Sequence, residues 1–272
     1  MHTWHWQSWN DMPYLTCSLL ESWAHGFFTQ QFSPRVPEEL VTVLRPEAQV
    51  CRVKQVHGNT VLTPFDLQHP PTATSDADSV LHAADGLVTE QNQQSVWVCT
   101  ADCVPVLIAD DTTGQVAAVH AGWRGTAARI VPAAIACLQA QGSKISNLRV
   151  ALGPAIAGEV YQVSSDVAAE LGASLFPHEA SQHPETESRT LDLLAQLRDR
   201  PDSPVQDDPE PGKVRVDVRR VNVLQLQQLG LDPEHIAIAP FCTYQQPQHF
   251  FSYRRSRQKK VQWSGIVSEA AS

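Results

Sequence analysis

Cys103, His120 and His57 are the residues of this 272-residue chain best suited by type to metal chemistry. Cys103 and His120 fall in CTADCVPVLIADDTTGQVAAVHAGWRG (99–125), and His57 falls in KQVHGNTV (54–61). One thiolate and two imidazoles would give Zn²⁺ three protein ligands and an open fourth position, the pattern of catalytic rather than structural sites. The spacings are long and carry no C-x₂-C signature. On spacing alone, three unrelated core or turn residues are the plainer reading, against which stands their common position at strand ends or turns rich in Gly, Asn and Asp. Asp102 bears on the choice, because a neighbouring carboxylate disfavours a bare thiolate whereas a bound dication holds one outright. Copper is the rival ion. A blue-copper centre adds an axial Met to a Cys and two His, and the only methionines are Met1 and Met12. None of the eleven histidines forms an H-x-H pair. Zn²⁺ is therefore expected in preference to Cu²⁺, and a multicopper phenol oxidase is not expected.

Other residues bear on substrate. Arg124 stands between Gly122 and Gly125, where it and a following helix start could hold an anion, or where it could pair with one of the many Asp residues. In HFFSYRRSRQKK (249–260), Tyr253 could stack on a planar ring and Arg254 or Arg255 could hold a phosphate; a solvated basic tail is the plainer reading, and fits 257–260 best. Asp102 and Asp85 could transfer protons or merely cap turns. Five further cysteines, at 17, 51, 99, 137 and 242, read as small buried hydrophobes, with no disulfides expected.

Apolar periodicity sets the strands and helices expected around these residues. Trp4 and Trp6 alternate as on a strand, and His25 reads as a half-buried core histidine beside Phe27 and Phe28. A helix with proline ends is expected within 34–47. Residues 51–64 read as strand, turn at His57-Gly58-Asn59, and strand, with Gly58 and Asn59 tolerating the left-handed backbone of a tight turn. Residues 66–79 read as a loop. Strands are expected at 84–90, 96–100, 104–110 and 115–122, with Pro105 suggesting an edge or a bulge. A helix follows from Gly125 to Gln141, which Pro132 should kink unless it lies near the start. A strand at 147–153, a Ser-capped helix at 164–171, an Asp217-capped helix ending at Gly230, and a strand at 236–244 complete the pattern. Residues 177–213, rich in Pro, Glu, Asp and Ser, read as a mobile surface excursion with one exposed helix at 191–199. Strict strand–helix alternation is absent, so the expected class is α+β, with mixed sheets packed against helices in a layered sandwich and a single domain over 1–272.

Composition excludes several function classes. The net charge of −9 and pI near 5.6 argue against a nucleic-acid or anionic-membrane binder. No apolar run approaches the roughly 18 residues of a spanning helix, and the first residues lack a secretory pattern. A cytoplasmic protein is expected.

Seven stretches occur in one order: KQVHGNTV, ADGLVT, TADCVPVLIAD, AVHAGWRG, ALGPAI, FCTY and FFSYRR. Together they resemble the YfiH-type laccase-domain family, also described as multicopper polyphenol oxidase domain or peptidoglycan editing factor, over roughly residues 25–176 and 214–256. The resemblance implies a single mixed α/β sandwich. It implies zinc ligands at the His of QVHG, the Cys of ADC and the His of VHAGWRG, which are His57, Cys103 and His120. It also implies broad purine nucleoside activity: phosphorolysis of adenosine, inosine and methylthioadenosine, and deamination of adenosine, with a nucleoside and phosphate as partners. Zinc-activated hydrolysis of a nucleotide-linked muramyl amide, and a non-catalytic protein whose metal is closed by Cys99 or Cys242, are the alternative expectations. Two departures stand out. The family's Thr-Gly-Arg turn after FFSYRR is replaced by SRQKKVQWSGIV, and the 177–213 excursion is longer than usual.

Overall fold

The computed structural model describes residues 2–68, 81–176 and 187–271. In chain order the strands are β1 (Trp4–Trp9), β2 (Met12–Cys17), β3 (His25–Phe28), β4 (Gln49–Cys51), β5 (Val61–Leu62), β6 (Gly86–Val88), β7 (Gln94–Thr100), β8 (Val104–Asp110), β9 (Val116–Ala121), β10 (Leu148–Leu152), β11 (Gln162–Ser164), β12 (Val205–Asp207), β13 (Lys213–Val216), β14 (Ile236–Ile238) and β15 (Gln262–Val267). The α-helices are α1 (Pro37–Leu44), α2 (Trp123–Ala127), α3 (Ile130–Ala140), α4 (Ser165–Ala173), α5 (Glu187–Arg198), α6 (Val218–Gln228) and α7 (Tyr253–Ser256).

The fold is the expected α+β sandwich. One six-stranded sheet runs β1-β2-β3-β15-β7-β4 and a second runs β14-β10-β8-β9-β6-β5. Strand alternation decides what fills the space between them. Leu107, Ala109, Val116 and Ala118 of the second sheet meet Leu15, Phe27, Val96, Val98 and Ile266 of the first. The alternate residues Val104, Val106, Ile108, Ala117 and Val119 face the other way, onto α3, α4 and α6. Beyond the first sheet, Phe28 and Trp97 pack on Leu40 and Val41 of α1. His120, the penultimate residue of β9, alternates onto the same inward face as Val116 and Ala118.

Several local expectations hold. His25 is buried, its Nε2 accepting from the Cys17 amide at 2.8 Å. Ser164 and Asp217 cap α4 and α6 through their side chains. Others need correction. Residues 51–64 do not form a hairpin, because β4 joins the first sheet and β5 the second. The expected helix from Gly125 divides into α2 and α3 at Arg129, which has φ 60°, and Pro132 lies in the first turn of α3, where it forces no kink. Pro105 is neither at an edge nor in a bulge. β8 is central, and Pro105 is tolerated because it lies beyond the last β10 partner pair, Leu152↔Val106, while the opposing His120 amide bonds to the Asp85 carbonyl instead.

The 177–213 segment is the largest correction. Residues 177–186 lie outside the described residues, as do 69–80 of the expected 66–79 loop. The remainder is built into the protein. Leu193, Leu194 and Leu197 of α5 are buried against α4, and β12 and β13 form a three-stranded sheet with β11. Each such leucine contributes roughly 1.5–3 kcal/mol relative to exposure, so the helix is a structural element and not an exposed one.

Candidate metal centre

The loop before β8, the end of β9 and the 56–59 turn converge on one point. Nδ1 or Nε2 of His57 and His120 and Sγ of Cys103 all lie within 4.8 Å of one another. They form the one such cluster of ligating side chains among the described residues. The imidazole rings of His57 and His120 stand edge to face, with centroids 4.8 Å apart. His120 is buried, Cys103 half-buried and His57 exposed, so the cluster closes toward the core and opens outward.

Asp85 holds this geometry. Its side chain is fully buried. Oδ1 accepts from His120 Nδ1 at 2.8 Å and from the His57 amide at 2.9 Å, and Oδ2 accepts from the Gly58 amide at 2.7 Å and the Val56 amide at 3.2 Å. One carboxylate therefore fixes the His120 tautomer, leaving Nε2 for a metal, and shapes the turn that carries His57. The left-handed residue of that turn is His57 itself, with φ 62°, rather than Gly58 or Asn59. A non-glycine residue held there costs about 1–3 kcal/mol, which the three amide bonds to Asp85 offset. The sequence reading left Asp85 between proton transfer and turn capping. Its contacts are those of a cap and an imidazole anchor. Gln55 anchors the same segment through paired bonds with the Cys99 backbone.

Asp102 also has a left-handed backbone, φ 91°. Its carboxylate accepts from Thr243 Oγ1 and from the Arg254 amide, both at 2.7 Å, and its carbonyl accepts from the Ile156 amide. Asp102 thus ties together three distant segments beside Cys103.

The electrostatics fit a thiolate ligand. Burial pushes the Cys103 thiol up, but hydrogen bonds from His120 and His57 outweigh it and lower the thiol to about 6. Burial likewise pulls His120 down, and its bonds to Asp85 and Cys103 outweigh that and raise it to about 9. By contrast, burial pushes Cys99 up to about 11. The ligating form of Cys103 is present at neutral pH and that of Cys99 is not.

The glycines of GWRG serve this site. A Cβ on Gly122 would lie 2.9 Å from Cys103 Sγ and 3.4 Å from His57 Cδ2, and one on Gly125 would lie 2.9 Å from the Gly58 carbonyl. Asn59 Nδ2 completes the docking of the His57 turn by donating to the Ala128 carbonyl at 2.9 Å. Gly122→Ala is expected to weaken metal binding about 10-fold or more and to destabilise the fold by about 1–3 kcal/mol. Chelator competition and thermal unfolding would read this, and an unchanged affinity would show that Gly122 does not form the floor of the site.

Arg124 stacks on Trp123, guanidinium carbon 4.4 Å from the ring centroid, and makes no ion pair among the described residues. At five residues, α2 adds little dipole, so an anion would rest on Arg124 itself. Arg254 lies over the Tyr161 ring at 4.8 Å and donates to the Gln162 carbonyl at 2.7 Å. Arg255 clasps the carbonyls of Thr243, Tyr244 and Phe250. Tyr253 is exposed, with Arg257 over its ring at 5.8 Å. The sequence reading missed Tyr161 and Thr243, because 158–163 contains no motif and Thr243 is one polar residue in FCTY.

The donor set fits zinc. Among the described residues the cluster holds His57, Cys103 and His120 without Cys99 or Cys242, and Cys242 Sγ instead accepts from the Ala157 amide at 3.2 Å. Met12, whose sulfur accepts from Arg35, packs against the outer face of the first sheet and offers no axial ligand.

Fold and site together define an α+β sandwich protein with a candidate mononuclear His₂Cys metal centre open on one side. The family model described as multi-copper polyphenol oxidoreductase laccase matches residues 37–268, and the chain belongs to that laccase-like, YfiH-type family. A purine nucleoside phosphorylase of Synechocystis sp. is 52% identical over 97% of this chain and 97% of its own. An adenosine deaminase from an unknown prokaryotic organism is 29% identical over 66% of this chain and 60% of its own. Among solved structures, YlmD from Geobacillus stearothermophilus shares the fold, with a TM-score of 0.71 and 23% identity, covering 97% of this chain and 98% of that one.

Proposed function

We propose that this chain is a zinc-dependent purine nucleoside enzyme, cleaving adenosine, inosine and methylthioadenosine with phosphate and deaminating adenosine. The convergence of His57, Cys103 and His120 on one open-sided point carries the reading. The purine nucleoside names of the Synechocystis relative and the adenosine deaminase support it.

His57, Cys103 and His120 would hold the zinc, which when bound supplies Lewis-acid polarisation of an oxygen. The remaining work belongs to the chain. Asp85 keeps His120 in one tautomer and orientation. Arg124, free of any carboxylate partner among the described residues, offers a bidentate donor for a phosphate. Phosphorolysis replaces the bond from C1′ to the base nitrogen with one from C1′ to a phosphate oxygen. An orienting cation therefore matters most when the phosphate must be held in line with C1′. Asp102 acts by holding the Arg254 backbone and Thr243 rather than by reaching substrate.

The same donor set would serve amide hydrolysis of a nucleotide-linked muramyl amino acid, which remains the second reading. Six free cysteines fit a cytoplasmic location, and no helix among the described residues is long and apolar enough to cross a membrane. Purified protein should release free base and ribose 1-phosphate from inosine and adenosine when phosphate is present. Hydrolysis of the muramyl amide with neither nucleoside consumed would overturn the proposal.

A further inference from the structure

Tyr161 is placed with unusual care for a residue outside every motif. Its amide donates to the Gly158 carbonyl at 3.2 Å and its carbonyl accepts from the Val216 amide at 3.1 Å, so its backbone is held on both sides. A Cβ on Gly158 would lie 2.8 Å from Asp217 Cβ, and only glycine lets this short turn sit so close to the start of α6. The Tyr161 ring packs half-buried at the margin of the core that Trp123 also borders.

Arg254 covers one face of that ring at 4.8 Å. The guanidinium is not free to move, because it donates to the Gln162 carbonyl, one residue beyond Tyr161, at 2.7 Å. The backbone of Arg254 is fixed by the bond from its amide to Asp102, the residue before the ligand Cys103. A continuous set of contacts therefore runs from Cys103 through Asp102 and Arg254 to Tyr161. Those contacts connect the Tyr161 phenol to the segment that carries Cys103. Burial, the largest influence, and the Cys103 charge push the phenol up to about 12. At neutral pH it is a neutral O–H, able to donate one hydrogen bond and accept others.

We infer that Tyr161 is a further substrate-contacting residue, whose hydroxyl hydrogen-bonds the bound nucleoside, and that Arg254 is its clamp rather than the holder of phosphate. The inference rests on the nucleoside reading above and deepens it. It divides the basic residues by task, with Arg124 serving phosphate and Arg254 serving Tyr161.

The test is steady-state kinetics of Tyr161→Phe, Arg254→Met, the double variant and Arg124→Met, with inosine and inorganic phosphate varied in turn and zinc content measured throughout. Tyr161→Phe should raise the KM for inosine about 5- to 10-fold, the loss expected for one hydrogen bond to a neutral partner. Its kcat, phosphate KM and zinc content should stay near wild type. Arg254→Met should reproduce that rise, and the double variant should add little to it, because both changes disable one contact. Arg124→Met should raise the phosphate KM instead. An unchanged inosine KM in Tyr161→Phe, a loss of zinc in that variant, or a rise in phosphate KM alone in Arg254→Met would overturn the inference. Wild-type protein that neither binds nor converts inosine or adenosine would overturn the nucleoside reading and this inference with it. An active wild type with an indifferent Tyr161→Phe would overturn the inference alone.

Discussion

Replacing Cys103 with Ser is expected to lower turnover at least about 1,000-fold and to leave the purified protein without stoichiometric metal. Cys103 would be the one anionic ligand of the three, and hydrogen bonds from His120 and His57 favour its thiolate. A serine hydroxyl is not ionised at neutral pH and is a poor zinc ligand, so two imidazoles would remain. The effect on stability should be smaller than the effect on rate. A metal present at 100 times its Kd stabilises the fold by about 2.7 kcal/mol, and loss of that linkage would lower Tm by about 5–11 °C in a chain of this size. After chelation, wild type and Cys103→Ser should therefore unfold at similar temperatures. Full activity in Cys103→Ser would remove the thiolate from the mechanism.

Asp85→Asn should damage both the site and the fold. The carboxylate receives four N–H donors, one from the His120 ring and three from the 56–58 backbone. An amide can accept on one atom only, and its NH₂ would face backbone N–H groups. One or more buried donors would be left unpaired, at about 1–3 kcal/mol each. The left-handed His57 would lose its support. Loss of the carboxylate behind a ligating imidazole lowers metal affinity about 10- to 100-fold. A net loss of about 3 kcal/mol should lower the Tm of the metal-free protein by about 6–12 °C. The pH dependence has a definite sign. Burial raises the Asp85 carboxyl, but the bonds from His120, Gly58 and His57 outweigh it and hold it below the usual carboxylate value. Its contribution is thus present above the ordinary carboxylate range and is lost as the pH falls through the lowered value. A variant with normal metal affinity and Tm but reduced kcat would instead make Asp85 a proton-transfer group.

Spacing alone left the metal cluster open in the sequence, and it was the ordered motifs carrying the family resemblance that singled out His57, Cys103 and His120 together. Alternation along 104–110 and 116–121 sets Cys103 and His120 at the ends of paired strands, and GWRG announces a close backbone approach. His57 was legible as a turn residue, but the strained position was assigned to its neighbours. Three amides on a buried carboxylate can hold a histidine where isolated backbone preference would choose Gly or Asn. That carboxylate arrives from residue 85 through long-range packing, which no local pattern encodes. The same limit applies to Asp102, whose partners Thr243 and Arg254 lie far along the chain. Leu193, Leu194 and Leu197 were overlooked for another reason: the polar composition around them obscured a narrow apolar face that α4 covers.

The most direct measurement is the metal content of the purified wild type alongside His57→Ala, Cys103→Ala and His120→Ala, with folding checked by thermal unfolding. One zinc per chain is expected in the wild type and far less than one in each folded variant. Equal zinc in wild type and Cys103→Ala would contradict this expectation.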